Sequence, residues 1–170
     1  MRLSRTWKGL IKPAVLEIHL TPAIPGAVTR RDTLRMGFMP RRLPHCLLVE
    51  DSDYDQRRIA HLLARGTQVE LDIATTLAQA RLALSRKQFD LLLLNNLLAD
   101  GLGVDFAAEI RRTPQIPFVP IIMISDFTSP FMYDKAMAAK VSIVVDKDKF
   151  QPRHVHDALQ FARVMATTRR

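Results

Sequence analysis

The sequence predicts an α/β fold: a doubly wound, five-stranded parallel sheet in the order 2-1-3-4-5, with helices on both faces. Three observations predict it. Short apolar runs alternate with amphipathic segments from about residue 45 to residue 167. Several of those runs are continuously apolar, which marks strands buried on both faces. The chain has 170 residues, 48% hydrophobic and 25% charged, the size and composition of one globular domain.

Each element follows from local chemistry. Residues 45–49 (HCLLV) form the first strand. Asp53 is placed to cap a helix reaching about residue 64, with Ile59, Leu62 and Leu63 inward and Gly66 as its stop. Residues 69–74 alternate as a second strand, and Thr75 or Thr76 caps a helix that buries Leu77, Ala80 and Leu84. Residues 91–94, four leucines, form the buried third strand. A loop over 95–103 contains Asp100-Gly101, and a third helix covers 104–112. Pro114 and Pro117 separate it from a fourth strand at 119–124. Pro130 suits the first turn of a helix reaching Lys140, and residues 142–145 form the fifth strand. The last helix starts near Pro152, with Val155, Ala158, Leu159, Ala162 and Met165 on one side. With this size and order, the architecture is flavodoxin-like.

The net charge of +8 suggests nucleic acid until it is located. Residues 1–42 hold nine Lys or Arg against Glu17 and Asp32, whereas residues 43–170 are nearly balanced, with 16 basic and 15 acidic residues. The folded part therefore lacks the excess that attracts a phosphate backbone. Residues 1–42 also contain four of the ten prolines, and Pro13 interrupts their one amphipathic stretch. They read as a poorly ordered basic extension ahead of a domain at 43–170. A secretory leader fits badly, because Lys12, Pro13 and Glu17 break the apolar run. A basic arm for membrane or nucleic acid is the other alternative. Met36 and Met39 offer later start codons, which would make residues 1–35 an upstream artefact; N-terminal sequencing decides that. The single Cys46 excludes an internal disulfide framework and a cysteine-rich zinc module. No apolar run approaches the roughly 20 residues of a membrane span, so a cytoplasmic protein is expected.

Ligands of such sheets bind outside the carboxyl ends of the strands. Glu50 and Asp51 follow the first strand, Asn95 the third, Ser125 and Asp126 the fourth, and Asp146 and Lys147 the fifth. Singly, each has an ordinary reading: solvated loop acids, a turn cap, a surface lysine. Together they define one pocket. No glycine-rich phosphate loop is present, and His45, His61, His154 and His156 share no metal-ligand spacing. His154 and His156 read as surface groups on opposite sides of a helix.

The segments LLVEDSD (47–53), FDLLLLNNLLADG (89–101), PIIMIS (120–125) and VSIVVDK (141–147) closely resemble the receiver domain of bacterial two-component response regulators. The resemblance covers about residues 45–167. It implies that Glu50 and Asp51 correspond to the acidic pair that binds Mg²⁺, Ser125 to the hydroxyl that contacts the phosphoryl group, and Lys147 to the lysine that salt-bridges it. It implies signalling partners, a histidine kinase or a downstream regulator, and no enzymatic activity of its own.

The chain departs from the family at the decisive position: Asn95 stands where the family has the phosphorylated aspartate. A neutral carboxamide is a poor nucleophile, and it removes an anionic oxygen from the Mg²⁺ site. Asp126 replaces a small residue and would repel a phosphoryl group. Asp148 replaces a proline, Val144 an aromatic residue and Ala99 a proline. The sequence therefore predicts a stand-alone, degenerate receiver acting through protein contacts, with weak or absent Mg²⁺ binding and no required cofactor. A phosphorelay receiver with an unusual acceptor, and an adaptor working through the basic arm, are the alternatives. Lys147 is expected to pair with Asp51 or Asp126. The resemblance also implies a partner face around the fourth helix, fifth strand and fifth helix, drawn from Phe131, Met132, Lys135, Met137, Lys140, Lys149 and Phe150.

Overall fold

A computed structural model describes residues 42–168, and the side chains through residue 164. The N-terminal extension and its candidate roles lie outside the described residues, except Arg42, which forms a two-pronged ion pair with Asp90. The elements run β1 (His45–Val49), α1 (Asp53–Gly66), β2 (Glu70–Ala74), α2 (Leu77–Arg86), β3 (Leu91–Asn95), β4 (Leu97–Leu98), β5 (Gly101–Leu102), α3 (Gly103–Arg112), β6 (Ile121–Ser125), α4 (Pro130–Ala138), β7 (Ile143–Asp146) and α5 (Pro152–Thr168). A 3₁₀ turn, Lys147–Lys149, follows β7.

The main sheet has the order β2-β1-β3-β6-β7, and every neighbouring pair is parallel. This is the expected 2-1-3-4-5 topology. Alternating residues of the central strands feed two cores. Leu47, Leu92, Leu94 and Met123 pack with α2, α3 and α4, whereas Cys46, Leu91, Leu93 and Ile124 pack with α1 and α5. β3 and β6 are buried along their full length, and this explains their continuous apolar runs.

Local chemistry moves several boundaries. Ser52, not Asp53, caps α1; its backbone is extended and its hydroxyl accepts from the Asp55 N–H. Thr76 caps α2 by accepting from the Gln79 N–H. The expected loop over 95–103 contains the antiparallel pair β4–β5. Asp100 turns away from the sheet edge and accepts from the Leu77 and Ala78 N–H groups, placing an anion at the α2 N-terminus. Gly103 is needed because a Cβ there would lie 2.2 Å from the Asn95 carbonyl oxygen. β6 starts at Ile121, after Pro120, which has no N–H to add to the ladder. His154 is partly buried and not a surface group: its Nδ1 accepts from the Gln151 N–H, and its ring tilts against Phe150. The side chain of Met165 lies outside those described.

α4 ends at Ala138, two residues before the expected stop. The Lys140 N–H donates to the Met137 carbonyl and the Val141 N–H to the Ala136 carbonyl, a Schellman closure. Lys140 carries the left-handed turn with φ 53°, where glycine is the usual residue. Lys140→Gly is therefore expected to stabilise the fold by about 1 kcal/mol in urea unfolding. An unchanged midpoint would show that Lys140 bears no such strain. Among the described residues, no helix is long and apolar enough to cross a membrane.

Candidate functional site

The parallel register brings the expected residues to one sheet edge. Asn95 and Ser125 are the last residues of the adjacent central strands β3 and β6, Glu50 follows β1, and Lys147 follows β7. All four are buried polar groups in an otherwise apolar interior. Each therefore requires a partner.

Glu50 Oε1 accepts from the Ser52 N–H at 3.0 Å and from Asn95 Nδ2 at 3.2 Å. Asn95 Nδ2 also donates to the Leu97 carbonyl at 2.7 Å, and Asn95 Oδ1 faces the Leu97 N–H at 3.4 Å. The reverse amide orientation would aim an oxygen at two acceptors, so these neighbours dictate the one observed. Ser125 Oγ both donates to the Phe127 carbonyl and accepts from the Phe127 N–H, so it caps its own loop.

Lys147 Nζ lies 2.9 Å from Asp55 Oδ2, 3.0 Å from Glu50 Oε2 and 3.2 Å from Asp126 Oδ2. The expected pairing with Asp126 is present. Asp51 is corrected: its side chain is exposed to solvent and makes no ion pair with Lys147. Asp55 takes that place because the first turn of α1 carries it back over the sheet edge. It was missed in the sequence, although it extends the acidic series of Glu50, Asp51 and Asp53 into the helix. Arg58, one turn further, pairs with Asp55 at 3.2 Å and donates to the Lys147 carbonyl at 2.9 Å. Thus α1 is tied to the turn after β7.

Burial raises the Glu50 carboxyl above its ordinary range, against the opposing pull of the Ser52 N–H and Lys147. Its Oε2 is buried and, among the described residues, accepts no well-directed hydrogen bond. Asp55 is shifted the other way: burial would raise it, but Lys147 and Arg58 hold it below its ordinary value. Burial alone would lower Lys147, yet Asp55, Glu50 and Asp126 hold it above its ordinary value. The ammonium is thus a permanent charge surrounded by three carboxyl groups.

The residues present do not fit Mg²⁺. The Asn95 amide directs its donors at the Glu50 and Leu97 oxygens, where a cation would need free lone pairs. The Lys147 ammonium faces the other Glu50 oxygen, and Asp51 points to solvent.

Two residues of the expected partner face are corrected. Met132 and Phe150 belong to the core, because the inner side of α4 and the chain before α5 pack against the sheet. Phe131, Met137, Lys135, Lys140 and Lys149 are at least partly exposed. Lys135 pairs with Asp105 and stands 5.2 Å from the Phe131 ring centroid.

Solved receiver structures share this architecture. A CheY-like response regulator receiver domain protein from Methanospirillum hungatei is 18% identical, with a TM-score of 0.64 over 76% of this chain and 100% of that one. The signal receiver domain of an HD domain-containing protein from Pseudomonas fluorescens is 21% identical, with a TM-score of 0.62 over 75% and 99%. The chemotaxis response regulator CheY4 of Vibrio cholerae is 24% identical, with a TM-score of 0.60 over 70% and 98%. These likenesses show the fold. A comparison with curated proteins returned no match. The family model for the response regulator receiver domain matches residues 46–160, nearly the whole sheet and its helices. The chain therefore belongs to the response regulator receiver domain family of two-component signalling.

Proposed function

We propose that this receiver is a phosphorylation-independent, non-enzymatic interaction module, working in the cytoplasm without Mg²⁺ and docking on a histidine kinase or a downstream regulator. The observation that carries the reading is the Asn95 amide, bonded to Glu50 and to the Leu97 carbonyl. It satisfies internally the oxygens that an acceptor and its metal would otherwise engage. Lys147 is held by three carboxyl groups and Ser125 by its own loop, so neither is free to greet a phosphoryl group. Incubation with acetyl phosphate and Mg²⁺, followed by intact-mass measurement, is expected to leave the mass unchanged. A stoichiometric, hydroxylamine-labile adduct would overturn the reading.

Phe131 and Met137, with Lys135, Lys140 and Lys149, supply an adaptable apolar and basic docking patch. Partners with an acidic rim suit it. Lys135→Glu also breaks the Asp105 pair, so its expected effect is a loss of partner affinity of about tenfold without loss of fold. Affinity for a partner recovered by pulldown, measured alongside circular dichroism, checks this. Wild-type affinity in the variant would exclude the face. A change of wild-type affinity with phosphodonor would exclude a constitutive mechanism.

A further inference from the structure

We propose that the cavity at the amino-terminal end of the sheet binds an aryl carboxylate, a small molecule with a flat apolar body and one anionic end. The inference goes beyond the proposed function. The strands are parallel, so this end lies opposite the edge that holds Glu50, Asn95, Ser125 and Lys147.

The cavity has a volume of about 400 Å³, within the roughly 300–1,000 Å³ of small-molecule sites. Pro44, Phe89, Phe118, Pro120 and Leu159 supply its apolar walls. The topology brings them together. Pro44 precedes β1, Phe89 precedes β3 and Pro120 precedes β6, three adjacent strands, while Leu159 and Ala162 come from α5.

These walls offer a ligand few hydrogen bonds. The two prolines have no N–H, and their carbonyl groups already accept from the Glu70 and Leu92 N–H groups at 2.9 and 3.0 Å. Phe89 and Leu159 are buried, whereas Phe118 is 55% exposed. An exposed aromatic side chain beside buried apolar ones leaves a gap that a flat hydrocarbon fills and dries. A polar body would give up its water there without recovering a partner.

The charge of the rim is positive. Asp90 is the carboxylate of the lining, and both of its oxygens are taken. Oδ1 accepts from Arg42 Nη2, and Oδ2 accepts from Arg42 Nη1 and the His45 N–H. Arg163 adds a second guanidinium to the lining. A third, that of Arg111, stands 4.4 Å from the Phe118 ring centroid. It donates to the Ala139 and Lys140 carbonyl groups, neutral partners that leave its full charge in place. Three guanidinium groups at or beside the cavity thus stand against one occupied carboxylate. A cationic end would be repelled there, whereas a carboxylate meets planar donors. An aryl carboxylate suits both parts, its ring against Phe89 and Phe118 and its anion toward Arg42 and Arg163.

The test titrates the full ¹⁵N-labelled chain with 2-naphthoate. 2-Naphthalenemethanol keeps the body without the charge, 2-naphthylmethylamine reverses the charge, and acetate keeps the charge without the body. Saturable shifts of the amides of residues 89–91, 118–119 and 159–163 are expected with 2-naphthoate. The alcohol and the amine should bind about tenfold more weakly, and acetate not at all. The amides of Glu50, Asn95, Ser125 and Lys147 should stay in place. Phe118→Ala, a truncation at an exposed site, is expected to weaken 2-naphthoate about fivefold. The double variant Arg42→Gln, Arg163→Gln is expected to weaken it about tenfold and to leave the alcohol unchanged, which a general loss of fold would not do. Equal binding of the alcohol or the amine, saturation by acetate, absence of saturable shifts, shifts centred on the Glu50 and Lys147 edge, or undiminished binding in either variant would overturn the inference.

Discussion

Asn95→Asp is expected to lower metal-free stability by about 2–3 kcal/mol and to raise the affinity for Mg²⁺. The Asn95 amide donates to Glu50 Oε1 and to the Leu97 carbonyl, and both acceptors are left facing a new carboxylate. The abandoned Glu50 oxygen is buried and costs about 1–3 kcal/mol, the Leu97 carbonyl of an exposed residue costs less, and like-charge crowding with Glu50 adds to it. Lys147 can turn part of its charge toward the new group, which keeps the loss below the sum. The three clustered carboxyl groups Glu50, Asp55 and Asp126 become four, and a divalent cation then relieves the repulsion. The measurement is urea unfolding at pH 7.5, with and without Mg²⁺, for both proteins. Equal metal-free midpoints would refute the internal-satisfaction account of Asn95. A Mg²⁺-dependent midpoint in the wild type would refute the misfit of the metal.

Lys147→Met is expected to have the largest effect on stability. Removing one partner of a buried charged cluster costs about 3–5 kcal/mol. A domain of this kind has about 5–15 kcal/mol in total, so the variant approaches unfolding. The loss depends on pH, and its sign follows from Glu50. Its folded-state value lies above the ordinary 4.5, so its contribution favours folding below that pH and is lost as pH rises through the folded value. Without Lys147 that upward shift grows, so the variant loses more at pH 7.5 than at pH 4.5. Asp55 has the opposite sign. It is depressed from 3.8, so its contribution is present above that pH and fades as pH falls through the folded value. The gap between wild type and variant should therefore narrow from pH 7.5 to pH 4.5, as read by urea midpoints. A gap independent of pH would show that Lys147 contributes packing and not charge. Lys147→Arg, which keeps the charge, should lose much less.

The central strands were legible in the sequence because a strand covered on both faces must be apolar without alternation. Leu91 to Leu94 and the apolar run ending at Ile124 are such strands, and their parallel order follows from the helices between them. The edge was legible too, since Glu50, Asn95, Ser125 and Lys147 each follow or end a strand. Helix caps were less legible. Ser52 and Asp53 are both good caps, and the choice between them rests on one residue's backbone angles. The β4–β5 pair was hidden because two-residue strands carry no periodicity.

What the sequence by itself determined was the sheet, its order and the neutral carboxamide that Asn95 places at the end of the third strand, because burial patterns and residue chemistry are local properties of the chain. Only the tertiary structure decided which carboxylates hold Lys147. Asp55 reaches it from 92 positions away, whereas Asp51, nearer the strand end, points to solvent. It also decided that Met132 is core while Phe131 is surface, neighbours on one short helix with little amphipathic contrast. The reason is the same in both cases. An ion pair or a buried face is set by the angle at which a helix lies on the sheet, and that angle comes from packing summed over the whole domain.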